Sequence, residues 1–461
     1  MKIHFIGIGG TGMLAGARIA LEAGFEVRGS DNPLYPPASE MVKQLGVTIY
    51  TGFAEQNLEW RPDLVVVGNA FSRGQVEVEE MLRRRIPYTS LPEFLRLHVL
   101  RQRRPVVVAG THGKTTTTTL TAYLMHACGL EPGWLIGGQP LDLPSSAKLG
   151  AEGKPFVIEG DEYDTAFFDK RAKFFHYLPY IATVTSVEMD HADIYDDIDA
   201  IERSFQFMLR LIPPDGTLLT CADDRRALAL ASHAHSRVQT YGFASDAHWK
   251  GTYTGVSGGF SGLMIDRGGK RYAELAVPLA GMHNLRNTIA AVAATTLMGG
   301  TVPDITEALM QFKGIRRRME VFLERDGITY VDDFGHHPTA MKETIAAARE
   351  RWPGKRLRVL IEPRSNTMVR QLHQDVLAGA LQAADEVYFG PIHRVERIPF
   401  DERLNRDSVL VELRDFGVKG QSFDDVPELA EMIRSTGKAG DVVLIFSNGA
   451  FGGIYDLFRA D

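Results

Sequence analysis

Short apolar runs closed by glycine or proline alternate along this chain with stretches in which apolar residues return every three or four positions. That is the pattern of buried strands alternating with amphipathic helices, and it predicts parallel α/β architecture. Residues 2–7, 25–28 and 64–67 read as strands, with a helix from the glycines after the first to about Ala23. The run at 105–109 is apolar, β-branched and bounded by Pro105 and Gly110. After it, Leu120, Tyr123, Leu124 and Ala127 mark a helix over 115–128. Strands follow at 156–158 and 180–187, then an amphipathic helix at 198–212. From 217 to 278 the pattern turns to short strands with glycine turns, which predicts a β-rich addition. A helix begins near Asn284. Further strands at 321–324, 328–331, 358–361, 386–389 and 442–446 alternate with helices, one of them opened by Pro338.

A helix-and-linker stretch at 91–104 and the polar string FKGIRRRME at 312–320 divide the 461 residues. The predicted units are 1–100, 101–316 and 317–461, in line with the length of ordinary domains. No internal repeat or low-complexity tract interrupts them.

Composition narrows the class. Hydrophobic content of 44% and charged content of 24% are those of a globular chain with full cores. A net charge of −7 without a long basic run argues against nucleic acid or a membrane surface as partner. Cys128 and Cys221 stand far apart in apolar contexts and read as free thiols in a reducing compartment. The N-terminus runs into a strand without the features of a secretory leader, and no apolar run reaches membrane-spanning length, so a cytoplasmic protein is expected.

The chemistry concentrates where predicted strands end. After the strand at 105–109 comes Gly110-Thr111-His112-Gly113-Lys114-Thr115-Thr116. Backbone N–H groups of such a turn face phosphate oxygens, Lys114 can reach β- and γ-phosphates, and the Thr115 hydroxyl can hold Mg²⁺. This predicts an ATP or GTP site, although Val108 stands where the general pattern has its first glycine. Gly7-Ile8-Gly9-Gly10-Thr11-Gly12 is a second phosphate loop, with Asp31 at the distance of a ribose-binding acid. On its own it favours NAD. Asn69 and Ala70, after the strand at 64–67, are placed to line the same cleft. Glu159-Gly160-Asp161-Glu162 and Glu188-Met189-Asp190-His191 end two more strands and suit Mg²⁺ ligation or water positioning, with plain solvated loops as the alternative. Asn284 and Asn287 share a helix face. Asp332-Asp333 with His336-His337 fits metal binding, ribose binding or simple polarity equally.

Taken together, GIGGTGM (7–13), GTHGKTT (110–116), EGDE (159–162), EMDH (188–191), GMHNLRN (281–287), RRME (317–320) and DDFGHHPT (332–339) resemble the Mur ligases over essentially the whole chain. These are ATP-dependent amide-forming enzymes of peptidoglycan synthesis. The resemblance implies an N-terminal Rossmann-like UDP-binding domain, a central P-loop ATPase-type domain with the β-rich addition, and a C-terminal Rossmann-like α/β domain. It reassigns the first loop from NAD to UDP, with Gly7, Gly9, Gly10, Thr11, Gly12, Asp31, Asn69 and Ala70 around the UDP-sugar. It gives Gly110 to Thr116 to ATP, with Asn284 and Asn287 at the adenine and Arg318 and Asp333 holding the nucleotide. Lys114, Glu159 and His191 become the catalytic set, and Thr115, Glu159 and His191 the Mg²⁺ ligands. Two features depart from common family patterns. Ser186 stands where many members have Asn, and no Lys lies between Lys173 and Lys250 to be carbamylated.

The strings further resemble the branch acting on UDP-N-acetylmuramate. LYPPASE (34–40), GNAFSRG (68–74), DEYDTAFFDKRAKFFHY (161–177) and EPRSNTM (362–368) resemble members that attach an intact tripeptide, L-alanyl-γ-D-glutamyl-meso-diaminopimelate, in cell-wall recycling. Members adding L-alanine are the alternative. The resemblance implies an acyl phosphate made from the lactyl carboxylate and ATP, then attacked by the peptide amine. It also implies closure about 101–104 and 314–318, and a monomer or weak homodimer. Arg364, Ser365 and Asn366 follow the strand at 358–361, where open α/β sheets bind ligands. Arg364 is expected to clamp a distal peptide carboxylate, with an ion pair to Glu362 as the plain alternative.

Overall fold

A computed structural model describes residues 1–34, 38–190 and 194–460. His191, one of the expected metal ligands, lies outside the described residues, as does part of the LYPPASE string.

Three sheets carry the fold. The first is wholly parallel, in the order Thr48–Thr51, Glu26–Asp31, Lys2–Ile6, Leu64–Val67, Tyr88–Ser90. Its central strand is buried on both faces, as parallel strands flanked by helices must be. The helix Thr11–Glu22 packs on it through Met13, Leu14, Ala17 and Ile19.

The second sheet has ten strands. Arg104–Ala109 lies between Ile181–Val184 and Pro155–Gly160, parallel to both. Val106, Val107 and Val108 are fully buried. The order reverses on either side of this strand, so its carboxyl end opens on a crevice at the topological switch point. The β-rich stretch belongs to the same sheet. Thr217–Cys221 and Arg237–Gly242 continue it in parallel, the meander Trp249–Ser257, Phe260–Arg267, Lys270–Val277 is antiparallel, and at the other edge Ala147–Lys148 pairs antiparallel to Gly133–Leu135.

The third sheet pairs Glu320–Arg325 antiparallel to Ile328–Asp333, then runs in parallel through Val442–Phe446, Leu357–Ile361, Glu386–Phe389 and Lys419–Ser422. Its carboxyl edge presents Asp333, Glu362 and Ser447. One continuous hydrophobic core joins the first two sheets, whereas the third has separate cores on its two faces. No helix among the described residues is long and apolar enough to cross a membrane. The architecture is α/β, with three sheet-centred units.

Candidate active site

The turn after Arg104–Ala109 is fixed from the neighbouring strand end. The N–H of Thr111 donates to the Ser186 carbonyl at 2.9 Å, and the N–H of His112 to Ser186 Oγ at 3.0 Å. Ser186 therefore braces the phosphate loop. Gly113 sits at φ +77, a left-handed conformation that glycine adopts without strain, and immediately opens the helix Lys114–Ala127. That helix start has no side-chain cap, so its N–H groups and dipole face the crevice. Asn287 lies against Gly113, where an added Cβ would come within 2.6 Å of the amide oxygen.

Lys114 Nζ donates to both carboxylate oxygens of Glu162 at 2.8 Å and to the Thr111 carbonyl at 3.3 Å. Burial alone would depress its pKa, but the charges of Glu162 and Asp161 overcome that and hold it above the usual value. Asp161 is in turn paired with Lys173. Glu159 accepts from Thr115 Oγ1 at 3.0 Å and from the Gly137 N–H at 2.9 Å. Burial pushes its carboxyl above the ordinary range, and the nearby Lys114 charge offsets this only in part. A buried carboxylate beside a P-loop hydroxyl is an all-oxygen donor set with charge to spare, which fits a hard divalent cation such as Mg²⁺.

The three units meet at this point. A cavity of about 810 Å³ is bordered by Thr11 from the first, by Lys114, Thr115 and Glu159 from the second, and by His336 from the third. A second pocket of about 250 Å³ gathers Asn284 and Asn287 from one helix of the second unit with Arg318 and Asp333 from the third. The Asp333 carboxylate accepts from the N–H groups of Met319 at 2.9 Å and Gly335 at 2.7 Å, fastening the segment that carries Arg318. Arg317 and Met319, either side of Arg318, both have positive φ.

The first loop is arranged differently from the expectation. Gly7 N–H donates to the Ser30 carbonyl at 2.9 Å, Gly9 N–H to Asp31 Oδ2 at 2.7 Å, and Gly10 N–H to the Gly7 carbonyl at 3.3 Å. These donors are spent inside the loop, and Asp31 holds the loop itself. The uncapped helix start at Thr11 and Gly12 is the end left to face an anion. Asn69 and Ala70 are exposed beside it and line neither cavity. In the third unit Arg364 Nη1 donates to Glu362 at 3.2 Å, and Glu362 also accepts from Ser447 Oγ at 2.5 Å. The ion-pair alternative is thus present in this structure. Ser365 Oγ accepts from the Met368 N–H at 3.1 Å, and Asn366 is exposed.

Sequence reasoning missed Gly137, Glu343 and Glu350, which act through approaches that no spacing reveals. Thr339 lay within a quoted string but carried no role, and Glu162, read with its string as suiting Mg²⁺ or water, pairs with Lys114.

Comparison with known proteins matches three family profiles in chain order. They are "Mur ligase family, catalytic domain" over 2–103, "Mur ligase middle domain" over 108–295 and "Mur ligase, glutamate ligase domain" over 317–449. The UDP-N-acetylmuramate–L-alanyl-γ-D-glutamyl-meso-2,6-diaminoheptandioate ligase of Escherichia coli K12 is 39% identical, covering 99% of this chain and 97% of that protein. The UDP-N-acetylmuramate–L-alanine ligase of Endomicrobium trichonymphae is 32% identical, covering 97% and 96%. Among solved structures, the murein peptide ligase of Psychrobacter arcticus is 36% identical, covering 100% of this chain and 98% of that one, at a TM-score of 0.74. The UDP-N-acetylmuramate–alanine ligase of Thermotoga maritima is 25% identical with the same coverage, at 0.79. With the three profiles in order and relatives of this identity along its full length, the chain belongs to the Mur ligase family.

Proposed function

We propose that this protein is an ATP-dependent ligase joining the lactyl carboxylate of UDP-N-acetylmuramate to the L-alanine amine of L-alanyl-γ-D-glutamyl-meso-diaminopimelate. Such a reaction recycles cell-wall peptide in the cytoplasm. The observation that carries the ligase reading is the convergence of Lys114, Thr115 and Glu159 with the edges of all three units on one cavity. Full-length identity to the tripeptide ligase of Escherichia coli supports the choice of peptide.

Residues 1–100 bind the UDP-sugar, with Gly7, Gly9, Gly10 and Asp31 shaping the loop, Thr11 and Gly12 facing the diphosphate, and Asn69 and Ala70 beside it. Residues 101–316 bind ATP through Gly110 to Thr116, Asn284 and Asn287. Residues 317–461 add Arg318 and Asp333 to the nucleotide and carry the peptide site around Arg364, Ser365 and Asn366. The lactyl carboxylate attacks the γ-phosphorus to give an acyl phosphate and ADP. The peptide amine then displaces phosphate from the acyl carbon. Thr115, Glu159 and His191 would hold Mg²⁺, which when bound would supply charge neutralisation at the phosphate oxygens. Lys114, released from Glu162 by the incoming phosphate, and the loop N–H groups stabilise charge developing on the transferring group. Closure of the third unit keeps water from the acyl phosphate.

The L-alanine ligase is the second reading, favoured by the higher TM-score to the Thermotoga maritima enzyme. Phosphate release from ATP separates them. It should require UDP-N-acetylmuramate together with tripeptide, and free L-alanine in place of tripeptide should give little. Turnover with L-alanine at a comparable kcat/KM would decide for the second reading.

A further inference from the structure

Among the described residues, one group of histidines and acids brings its ligand atoms together in the manner of a metal site. It comprises His112 of the phosphate loop, Glu188 at the end of Ile181–Val184, and His337 at the start of the helix Pro338–Arg351. His112 Nε2 lies 3.3 Å and His337 Nδ1 3.7 Å from Glu188 Oε2, and all three atoms fall within 4.8 Å of one another. Three donors about 2.0–2.1 Å from a tetrahedral ion stand about 3.3–3.4 Å apart. The imidazole rings of His112 and His337 lie 4.4 Å apart, tilted by 43°, and His373 packs edge-on against His337 at 4.5 Å.

The donors are held in place before any ion arrives. Ser186 Oγ fixes the His112 backbone at 3.0 Å, Thr111 Oγ1 accepts from the Glu188 N–H at 2.8 Å, and the Thr339 hydroxyl orients the Glu188 carboxylate at 2.8 Å. Such supporting bonds are what aligns metal ligands. The Thr339 N–H donates to His337 Nδ1 at 3.3 Å, a long contact that sets the ring and that an ion at this nitrogen replaces.

We propose that His112, Glu188 and His337 form a site for a borderline transition-metal ion of the Zn²⁺ class, separate from the oxygen site of Thr115 and Glu159, that clamps the third unit on to the phosphate loop. Two nitrogens and one carboxylate select such an ion over Mg²⁺. Because the ligands come from two units, the bound ion cross-links them and blocks the reopening on which product release depends.

The probe is Co²⁺, titrated without nucleotide into the full-length protein and into H112A, E188Q, H337A and E159Q, with circular dichroism confirming that each is folded. Wild type and E159Q should develop the intense visible d–d absorption of a four- or five-coordinate nitrogen–oxygen site. H112A and H337A should bind about 100-fold more weakly or worse, the upper end of what disturbed metal sites lose. If H337A does not fold, H112A, altered in a part-exposed loop side chain, decides. Co²⁺ should also slow tryptic cleavage within 312–318 in wild type but not in H112A. No such band in wild type, a band that survives in H112A, or one lost only in E159Q overturns the proposal.

Discussion

Glu159 combines a folding cost with a proposed function. Its burial raises the carboxyl pKa above the unfolded value, so between the two values the native state binds more protons than the unfolded one. Its contribution to stability therefore falls as pH rises through that window, because the metal-free protein holds the ionised carboxylate poorly. Glu159→Gln removes the charge and keeps one acceptor for Thr115 or Gly137. The variant should unfold at a higher temperature than wild type without Mg²⁺, by ~2–4 °C for each kcal/mol relieved in a unit of about 200 residues. Mg²⁺ should raise the melting temperature of wild type but not of the variant. A variant that melts lower, or keeps the Mg²⁺ response, would remove Glu159 from the metal site. The strand, glycine turn and helix that carry Lys114 and Thr115 were legible in the sequence because all three must follow in order for the motif to exist. Gly137, which caps Glu159, was not, because it comes from a loop whose approach is set by the sheet order.

The helix Pro338–Arg351 shows what patterning conveys at the scale of an element. Pro338 marked its start, and buried Met341, Ile345 and Ala348 mark its inner face. Its other face looks solvated in sequence yet docks on the central unit. Thr339 donates to Glu188 at 2.8 Å, Glu343 accepts from Arg286 at 3.3 Å, Ala347 lies under Gly281, and Glu350 accepts from Gly281 N–H at 3.1 Å and from the Tyr253 hydroxyl. Polar residues that meet another unit and polar residues that meet water have the same periodicity. The strands Thr48–Thr51, Tyr88–Ser90 and Gly133–Leu135 escaped for a related reason, being too short for alternation to register. Glu350→Ala removes two hydrogen bonds at the docking face at a cost of about 1 kcal/mol. The closed population should fall by about fivefold. Faster tryptic cleavage within 312–318 and a reduced kcat, with the KM for UDP-N-acetylmuramate unchanged, would report it. An unchanged cleavage rate would mean that this face does not hold the units together.

At the scale of the whole molecule, the shared core of the first two sheets and the separate cores of the third make the C-terminal unit the natural moving part. The strands of the three sheets fall on either side of the two linker stretches read at 91–104 and 312–320, but the unequal coupling of the units was not legible in sequence, since it depends on which helices pack across a boundary. Three substrates then belong to three different edges, and losses at one edge should leave the other substrates alone. Arg364 tests this. It sits at the carboxyl end of Leu357–Ile361, paired with Glu362 at 3.2 Å and 3.4 Å from His393 Nδ1, while Glu362 is also held by Ser447. A guanidinium balanced by an acid that has a second donor loses little when an incoming carboxylate takes over the pairing, because Ser447 remains with Glu362. The tripeptide brings carboxylates remote from its reacting amine, and L-alanine brings one beside it. Arg364→Ala should therefore raise the tripeptide KM by about 10- to 100-fold, the scale of a lost charge-assisted bond. The KM values for ATP and UDP-N-acetylmuramate should stay within about twofold, the range of minor surface changes. An unaltered tripeptide KM would leave Arg364 as the partner of Glu362 alone. A rise shared by ATP would instead assign it to closure, since a group that only shifts the open–closed balance acts on every substrate bound in the closed state.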